Sequence, residues 1–310
     1  MRPGRLSCPG KNLPMRIDRQ LTTSVFHPLQ RAGIAAAGFR LPILMFHSVS
    51  DDPENGSAPY FKTNTAPNVF RRHMNQLAAE GYKTLDLVDA VALLFAGQQW
   101  PEKSVIITFD DGYLDFYIHA FPALREHGFT ATVFLPTAFI SNQRRQFKNT
   151  DCLTWNEVRE LRAAGIGFGS HTVNHPKLLE LSFPKIETEL VESKQQIEQE
   201  LGESVKTFAF PYAFPQANRE FVQEFRELLM RSRYACCVTT ELGRVKLGDD
   251  PYLLKRLPVN SLDDEDLLRA KLEGGYDWLG VPQSLAKKVK ALRGFSKKGE
   301  SAVPPPGAGA

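Results

Sequence analysis

The chain has 310 residues, a length that one α/β barrel or two smaller domains can fill. Its 42% apolar and 24% charged content is ordinary for a globular protein with a full core, and a net charge of +3 is too small to argue for nucleic acid. Four cysteines, at 8, 152, 236 and 237, lack CxxC spacing, which points to reduced thiols and away from a disulfide framework.

The N-terminus, "MRPGRLSCPGKNLPMRIDRQ", is polar and basic and lacks the apolar stretch of a secretory signal, while "AGIAAAGF" (32–39) is too short to span a bilayer. A cytoplasmic location is therefore expected, with residues 1–41 as a partly disordered extension. From residue 42 onward, short apolar runs alternate with helical patterns. "PILMFHSV" (42–49) reads as a strand that ends in His47. "PNVFRRHMNQLAAEG" (67–81) places Val69, Phe70, Met74, Leu77 and Ala78 on one helical face, and "TLDLVDAVALLFAG" (84–97) predicts a helix capped by Asp86 and closed by Gly97. "SVIITFDDGY" (104–113) is a continuous apolar strand that runs into Asp110 and Asp111.

A helix over 117–128 and a strand over 130–136 follow, then a polar loop, "SNQRRQFKNTDC" (141–152). Thr154 and Glu157 have capping-box spacing ahead of a helix closed by Gly165. "IGFGS" predicts a strand leading into "HTVNH", which carries His171 and His175. A long amphipathic helix over 182–202, a strand over 206–212, a helix over 218–232 and strands over 234–240 and 252–259 complete the pattern. Residues 284–298 space Leu285, Val289, Leu292 and Phe295 along one face of a basic helix, suited to packing on the domain or to peripheral contact with an anionic membrane. The terminal "SAVPPPGAGA" reads as disordered.

Roughly seven strands, each followed by a helix or long loop, predict a mainly parallel α/β sheet with right-handed crossovers, best met by a closed or distorted (β/α) barrel. Chemistry in such a barrel sits at the C-terminal ends of the strands. His47, Asp110, Asp111, His171, His175 and Tyr212 all lie there and should converge on one mouth. Taken singly, an Asp-Gly turn or a pair of loop histidines is an ordinary structural device; their conjunction after two separate strands is what argues for chemistry. Two imidazoles and one carboxylate make three protein ligands and leave positions open for water and substrate, the pattern of a catalytic metal site. The neighbouring carboxylate is then free to act as a general base. Zinc is the first expectation for the divalent ion, and iron, cobalt and nickel accept the same donors.

The motifs "TFDDGY", "SHTVNH" and "FAFPYA" resemble, in order and spacing, those of the NodB-type polysaccharide deacetylases, carbohydrate esterase family four. The likeness covers roughly residues 42–260. It implies a distorted barrel, spanning 42–280 before a basic C-terminal segment (281–310), and metal-dependent removal of acetyl groups from a glycan or lipid-linked saccharide. It also implies Asp110 as base, Asp111, His171 and His175 as metal ligands, and the Tyr212 N–H as an oxyanion donor. Two places depart from the family pattern. Ala209 stands where an arginine commonly orients the base, and no late leucine-x-histidine motif is visible. Arg256 on the last strand and His47 are the candidate substitutes, the first pairing with Asp110 and the second serving the leaving amine. "LPILMFHSVS" itself resembles the start of deacetylases acting on poly-N-acetylglucosamine-like exopolysaccharides. Tyr113, Phe210 and Trp155 are candidate sugar-binding aromatics, with Phe116 and the Tyr212 ring beside them.

Two other readings share these residues. A non-haem iron oxygenase also uses two histidines and one carboxylate, but it has no evident use for Asp110. A glycan-binding module that kept the fold and lost turnover would explain the absent arginine and late histidine, but not the retained acidic pair and the two histidines.

Overall fold

Strand β3, Ser104–Phe109, is buried at all six positions, as a continuous apolar run with parallel neighbours on both edges requires. The computed structural model describes residues 16–33, 39–52, 54 and 62–285. Around β3 stand β1 (Ile43–Phe46), β2 (Lys83–Thr84), β4 (Thr132–Leu135), the hairpin strands β5 (Gln146–Phe147) and β6 (Thr150–Asp151), β7 (Gly167–Ser170), β8 (Thr207–Ala209), β9 (Cys236–Leu242) and β10 (Leu254–Pro258). Seven of them run parallel in the order β1-β10-β9-β8-β7-β4-β3, and β1 pairs with β3 from Ile43↔Ile106 to Phe46↔Phe109, which closes the barrel. β2 extends the sheet beside the start of β3. The expected closed (β/α) barrel is the observed fold.

The period of two along each strand decides what faces the lumen. Leu44, Phe46, Val105, Ile107, Phe109, Val133, Leu135 and Phe208 join the larger core, between the strands and the outer helices. Ile43, Ile106, Phe134, Ala209, Val238 and Leu254 join a second core, across the barrel interior. A Cβ on Gly169 would lie 2.3 Å from Thr207 Oγ1 and 2.6 Å from the Phe134 ring, so β7 keeps glycine where the lumen is full. Continuing the lumen-facing alternation upward reaches His47, Asp110 and His171.

The helices are α1 (Ile17–Leu21) and α2 (His27–Arg31), joined by a π-helical turn at Thr22–Phe26, then α3 (Pro67–Ala79), α4 (Leu87–Phe95), α5 (Phe121–Glu126), α6 (Trp155–Ala163), α7 (Phe183–Leu201), α8 (Arg219–Arg231) and α9 (Glu265–Glu273). α4 packs Leu87, Ala90, Val91 and Leu94 against the lumen residues. Its cap is the expected one, Asp86 accepting from the Val88 N–H at 2.7 Å. Thr154 and Glu157 form the capping box of α6, and Gly202 ends α7 at φ +68°.

Several features lie outside the sequence expectations. The loop 141–152 contains the β5–β6 hairpin, α9 was not anticipated, and residues 17–31 are helical and dock on the α9 side of the barrel. The expected helix over 284–298 falls, beyond Leu285, outside the described residues, as does the C-terminal tail. Cys152, Cys236 and Cys237 are free and buried, and burial pushes their thiols up, that of Cys152 to about 12. Among the described residues no helix is long and apolar enough to cross a membrane.

Candidate active site

Four strand ends supply the site. β3 runs into Asp110 and Asp111, and the turn needs unusual backbone: Asp111 has φ +71° and Gly112 φ +60°. A Cβ on Gly112 would come within 2.9 Å of Leu135, so the turn requires glycine. The left-handed turn directs both carboxylates to one pocket, although adjacent residues on a regular strand diverge. The loop after β7 is equally bent, with Thr172 at φ +69° and His175 at φ +52°. It brings the two imidazoles together with centroids 4.7 Å apart. Of the eight non-glycine residues with positive φ among those described, six (Asp111, Lys148, Asn149, Thr172, His175 and Tyr212) line or support this mouth. Backbone strain of that kind persists only where surrounding contacts hold it.

Those contacts are visible. Glu189 on α7 accepts from the N–H groups of Val173 and Asn174 at 2.7 and 2.9 Å and from the Asn174 amide at 2.8 Å, so one carboxylate braces the whole histidine loop. Thr172 Oγ1 accepts from the His175 N–H at 2.9 Å. His171 Nδ1–H donates to the Ala209 carbonyl at 2.8 Å, which fixes the tautomer and turns the Nε2 lone pair toward Asp111.

Donor atoms of Asp111, His171 and His175 lie within 4.8 Å of one another, and all three residues are buried. Asp111 Oδ1 is 3.6 Å from His171 Nε2 and 3.3 Å from His175 Nε2. That oxygen is buried and makes no hydrogen bond among the described residues. Burial holds the His171 pKa low and pushes that of His175 down to about 3, with help from its imidazole neighbour, so both rings are neutral. A neutral His171 with Nδ1 protonated directs a lone pair at a carboxylate oxygen, an arrangement that a cation between them satisfies. The residues present therefore fit a divalent ion.

The other Asp111 oxygen is already occupied. Tyr113 Oη donates to Oδ2 at 3.0 Å, and Lys148 Nζ reaches it at 3.3 Å. Lys148 sits at the tip of the β5–β6 hairpin, 4.5 Å from the Phe147 ring centroid and 5.6 Å from that of Tyr212. Sequence reasoning missed both Lys148 and Glu189. The Lys-Asn pair at 148–149, suited to a tight hairpin turn, was the available signal for the first.

Asp110 has a different environment. Arg256, fully buried on β10, grips it with two parallel hydrogen bonds, Nη1 to Oδ1 and Nη2 to Oδ2, both 2.7 Å. The guanidinium is itself held by the Thr239 carbonyl at 3.0 Å and Thr108 Oγ1 at 3.3 Å. Burial alone would raise the Asp110 pKa, but the Arg256 charge and the Arg256 hydrogen bonds keep it well below the ordinary carboxylate range. His47 Nε2 lies 3.8 Å from Asp110 Oδ2 with its side chain partly open to solvent. Tyr212 is half-exposed at the rim, its ring 4.6 Å from that of His175.

The candidate aromatic wall needs correction. Trp155 and Phe116 are core residues, and Phe210 packs edge-on against Phe214 and Phe225 at 4.9 and 5.2 Å. A barrel rim must fill the space between strand ends and outer helices, and these rings fill it. Tyr113 is also buried, its hydroxyl committed to Asp111. Of the rings named, Tyr212 remains open to a ligand.

A family model described as polysaccharide deacetylase matches residues 97–232. Over that stretch the chain is similar to the polysaccharide deacetylase domain. Bacillus subtilis YxkH is similar to it, 29% identical over 221 residues that make up 71% of this chain and 72% of the relative. The poly-β-1,6-N-acetyl-D-glucosamine N-deacetylase of Staphylococcus aureus is 27% identical over 188 residues, 58% of this chain and 61% of that enzyme. In fold, the chain resembles the Streptococcus pyogenes deacetylase PplD, solved in complex with acetate (TM-score 0.67, 24% identity, 76% of this chain and 99% of that one). IcaB from Ammonifex degensii is likewise similar (TM-score 0.64, 21% identity, 76% and 97%).

Proposed function

We propose that the protein is a metal-dependent carbohydrate deacetylase that hydrolyses N-acetyl groups of a glycan or lipid-linked saccharide, with residues 42–280 as the catalytic unit. The reaction takes one water and one acetamido group to acetate and a free amine. One observation carries the reading: the unbonded, buried Asp111 Oδ1 faces the Nε2 atoms of two neutral histidines, while a second carboxylate stands beside it outside that cluster. Asp111, His171 and His175 would hold one divalent ion, zinc first, which when bound supplies Lewis acidity toward the acetyl carbonyl. Asp110, fixed by Arg256, takes a proton from the attacking water, since each of its oxygens keeps a second lone pair. The Tyr212 N–H, at a strained positive-φ position, donates to the oxygen that becomes negative. His47 delivers a proton to the departing amine. The absent arginine at Ala209 and the absent late histidine were the arguments for a non-catalytic module, and Arg256 reaching Asp110 from β10 answers the first of them.

The test is acetate release from N-acetylglucosamine oligomers, coupled to elemental analysis of the purified protein. Asp111→Asn and His171→Ala are expected to lose the bound metal and turnover together. Retention of a full equivalent of metal by both variants would place the ion elsewhere. His47→Ala should keep its metal while kcat falls by roughly 10²-fold or more, the usual scale for a positioned acid. An unchanged kcat would leave His47 as a strand-end residue without a chemical role.

A further inference from the structure

We propose that the outer face of the N-terminal helical segment, Ile17–Arg31, is a docking face for an anionic lipid bilayer; this stands independently of the proposed hydrolysis. The segment is inside out. Its polar residues face the protein: Tyr276 Oη donates to Asp18 at 2.9 Å, Trp278 Nε1 donates to Thr22 at 3.0 Å, and His27 pairs with Glu273 at 2.7 Å. Arg16, just ahead of it, is bonded to the buried Asp263 at 2.8 Å. Phe26 stacks on Trp278 at 4.6 Å, but the segment's four large aliphatic residues face outward, with Ile17 62%, Leu21 38%, Val25 42% and Leu29 42% exposed. Gln20, Ser24 and Pro28, exposed between them, carry no charge.

Spacing of four would drift by about 40° per step in a regular α-helix. The π-helical turn at Thr22–Phe26 has more residues per turn and offsets that drift, so the four side chains stay in one row. Apolar side chains held outward by a polar anchoring face belong to an element with an apolar partner.

Charge decides which partner. Residues 1–15 carry three basic and no acidic side chains, and residues 286–310 carry six basic and one acidic. Those segments contribute +8 to a chain that nets +3, so the stretch between them nets −5. One basic segment runs directly into the apolar row. The other follows a helical turn that exposes Val281 and Leu285. A second copy docked on this face would bring like-charged segments together, whereas anionic headgroups complement them.

The test is co-flotation of the full chain with phosphatidylcholine vesicles, with and without roughly 30 mol% phosphatidylglycerol. Binding is expected to the anionic vesicles and to weaken with salt. Leu21→Ser/Val25→Ser/Leu29→Ser should weaken it at least about tenfold, the scale of lost apolar burial. Lys287→Glu/Lys288→Glu/Lys290→Glu should weaken it comparably with the sequence of the helix unchanged. Circular dichroism and acetate release from short oligomers should stay unchanged in both variants, since Leu21, Val25 and Leu29 are exposed and none of the substituted residues belongs to the proposed catalytic machinery. The proposal is overturned by absence of vesicle binding, by binding that the serine variant retains, or by a dimer that the serine variant dissolves in a protein that ignores vesicles.

Discussion

Asp110→Asn is expected to reduce acetate release by roughly 10²–10⁴-fold, the contribution of a positioned general base, while metal content stays near one equivalent. The reason is geometric. Both Asp110 oxygens are engaged by Arg256 at 2.7 Å, whereas the donor atoms that could hold an ion belong to Asp111 and the two histidines. Asparagine keeps the shape and one acceptor but cannot take a proton from water at neutral pH. Its amide also points N–H groups at a guanidinium nitrogen, so some loss of thermal stability should accompany the loss of turnover. Metal content measured on the same preparation separates the roles of the two aspartates. If the asparagine variant lost its metal in parallel with activity, Asp110 would be a ligand and the division of labour between the pair would be wrong. If turnover persisted, another group would be the base.

The barrel was legible in the sequence because strand-length apolar runs alternate with capped helices, and the caps at Asp86 and Thr154 are local chemistry that needs no tertiary information. The site was legible because the period of two sends 47, 110 and 171 to one side of their strands, and Asp111 and His175 stand in the turns that follow two of those strands. Arg256 was legible for the same reason: within "LKRLP" the alternation sends Lys255 outward and Arg256 into the lumen, opposite Thr108 and Asp110. What escaped notice depends on contacts without periodicity. Two-residue strands such as β5 and β6 are too short to show a pattern, so Lys148 was hidden in a polar loop. Glu189 acts across a helix-to-loop gap that only the packing of α7 closes. Trp155 and Phe210 lie close to the motifs in sequence, but ring burial is set by which side of the rim must be filled. The N-terminal helix defeats pattern reading altogether, because polar side chains and Phe26 pack on the barrel while its aliphatic row faces out.

Arg256→Met should cost about 3–5 kcal/mol of stability at neutral pH, the scale for leaving one partner of a buried ion pair without the other. In the native protein the Asp110 pKa lies below its unfolded value of about 4, so the pair stabilises the fold above that pH, and the contribution is lost only as pH falls toward the folded pKa. Methionine fills similar volume but removes the charge and both hydrogen bonds. Burial then dominates, and the Asp110 pKa rises above its unfolded value. The sign of the linkage reverses: the variant should lose stability as pH rises from about 4 toward the new pKa, where the native protein does not. Urea unfolding at acid and neutral pH reads this directly, as a gap between the two proteins that narrows on acidification. The acidic limb of kcat/KM should move to higher pH in the same variant, because the base must first ionise. Adding Asp110→Asn removes the stranded carboxylate and should recover much of the lost stability without restoring turnover. A double variant no more stable than Arg256→Met alone would mean that the cost lies in packing around β10, and that Arg256 does not hold the base by its charge.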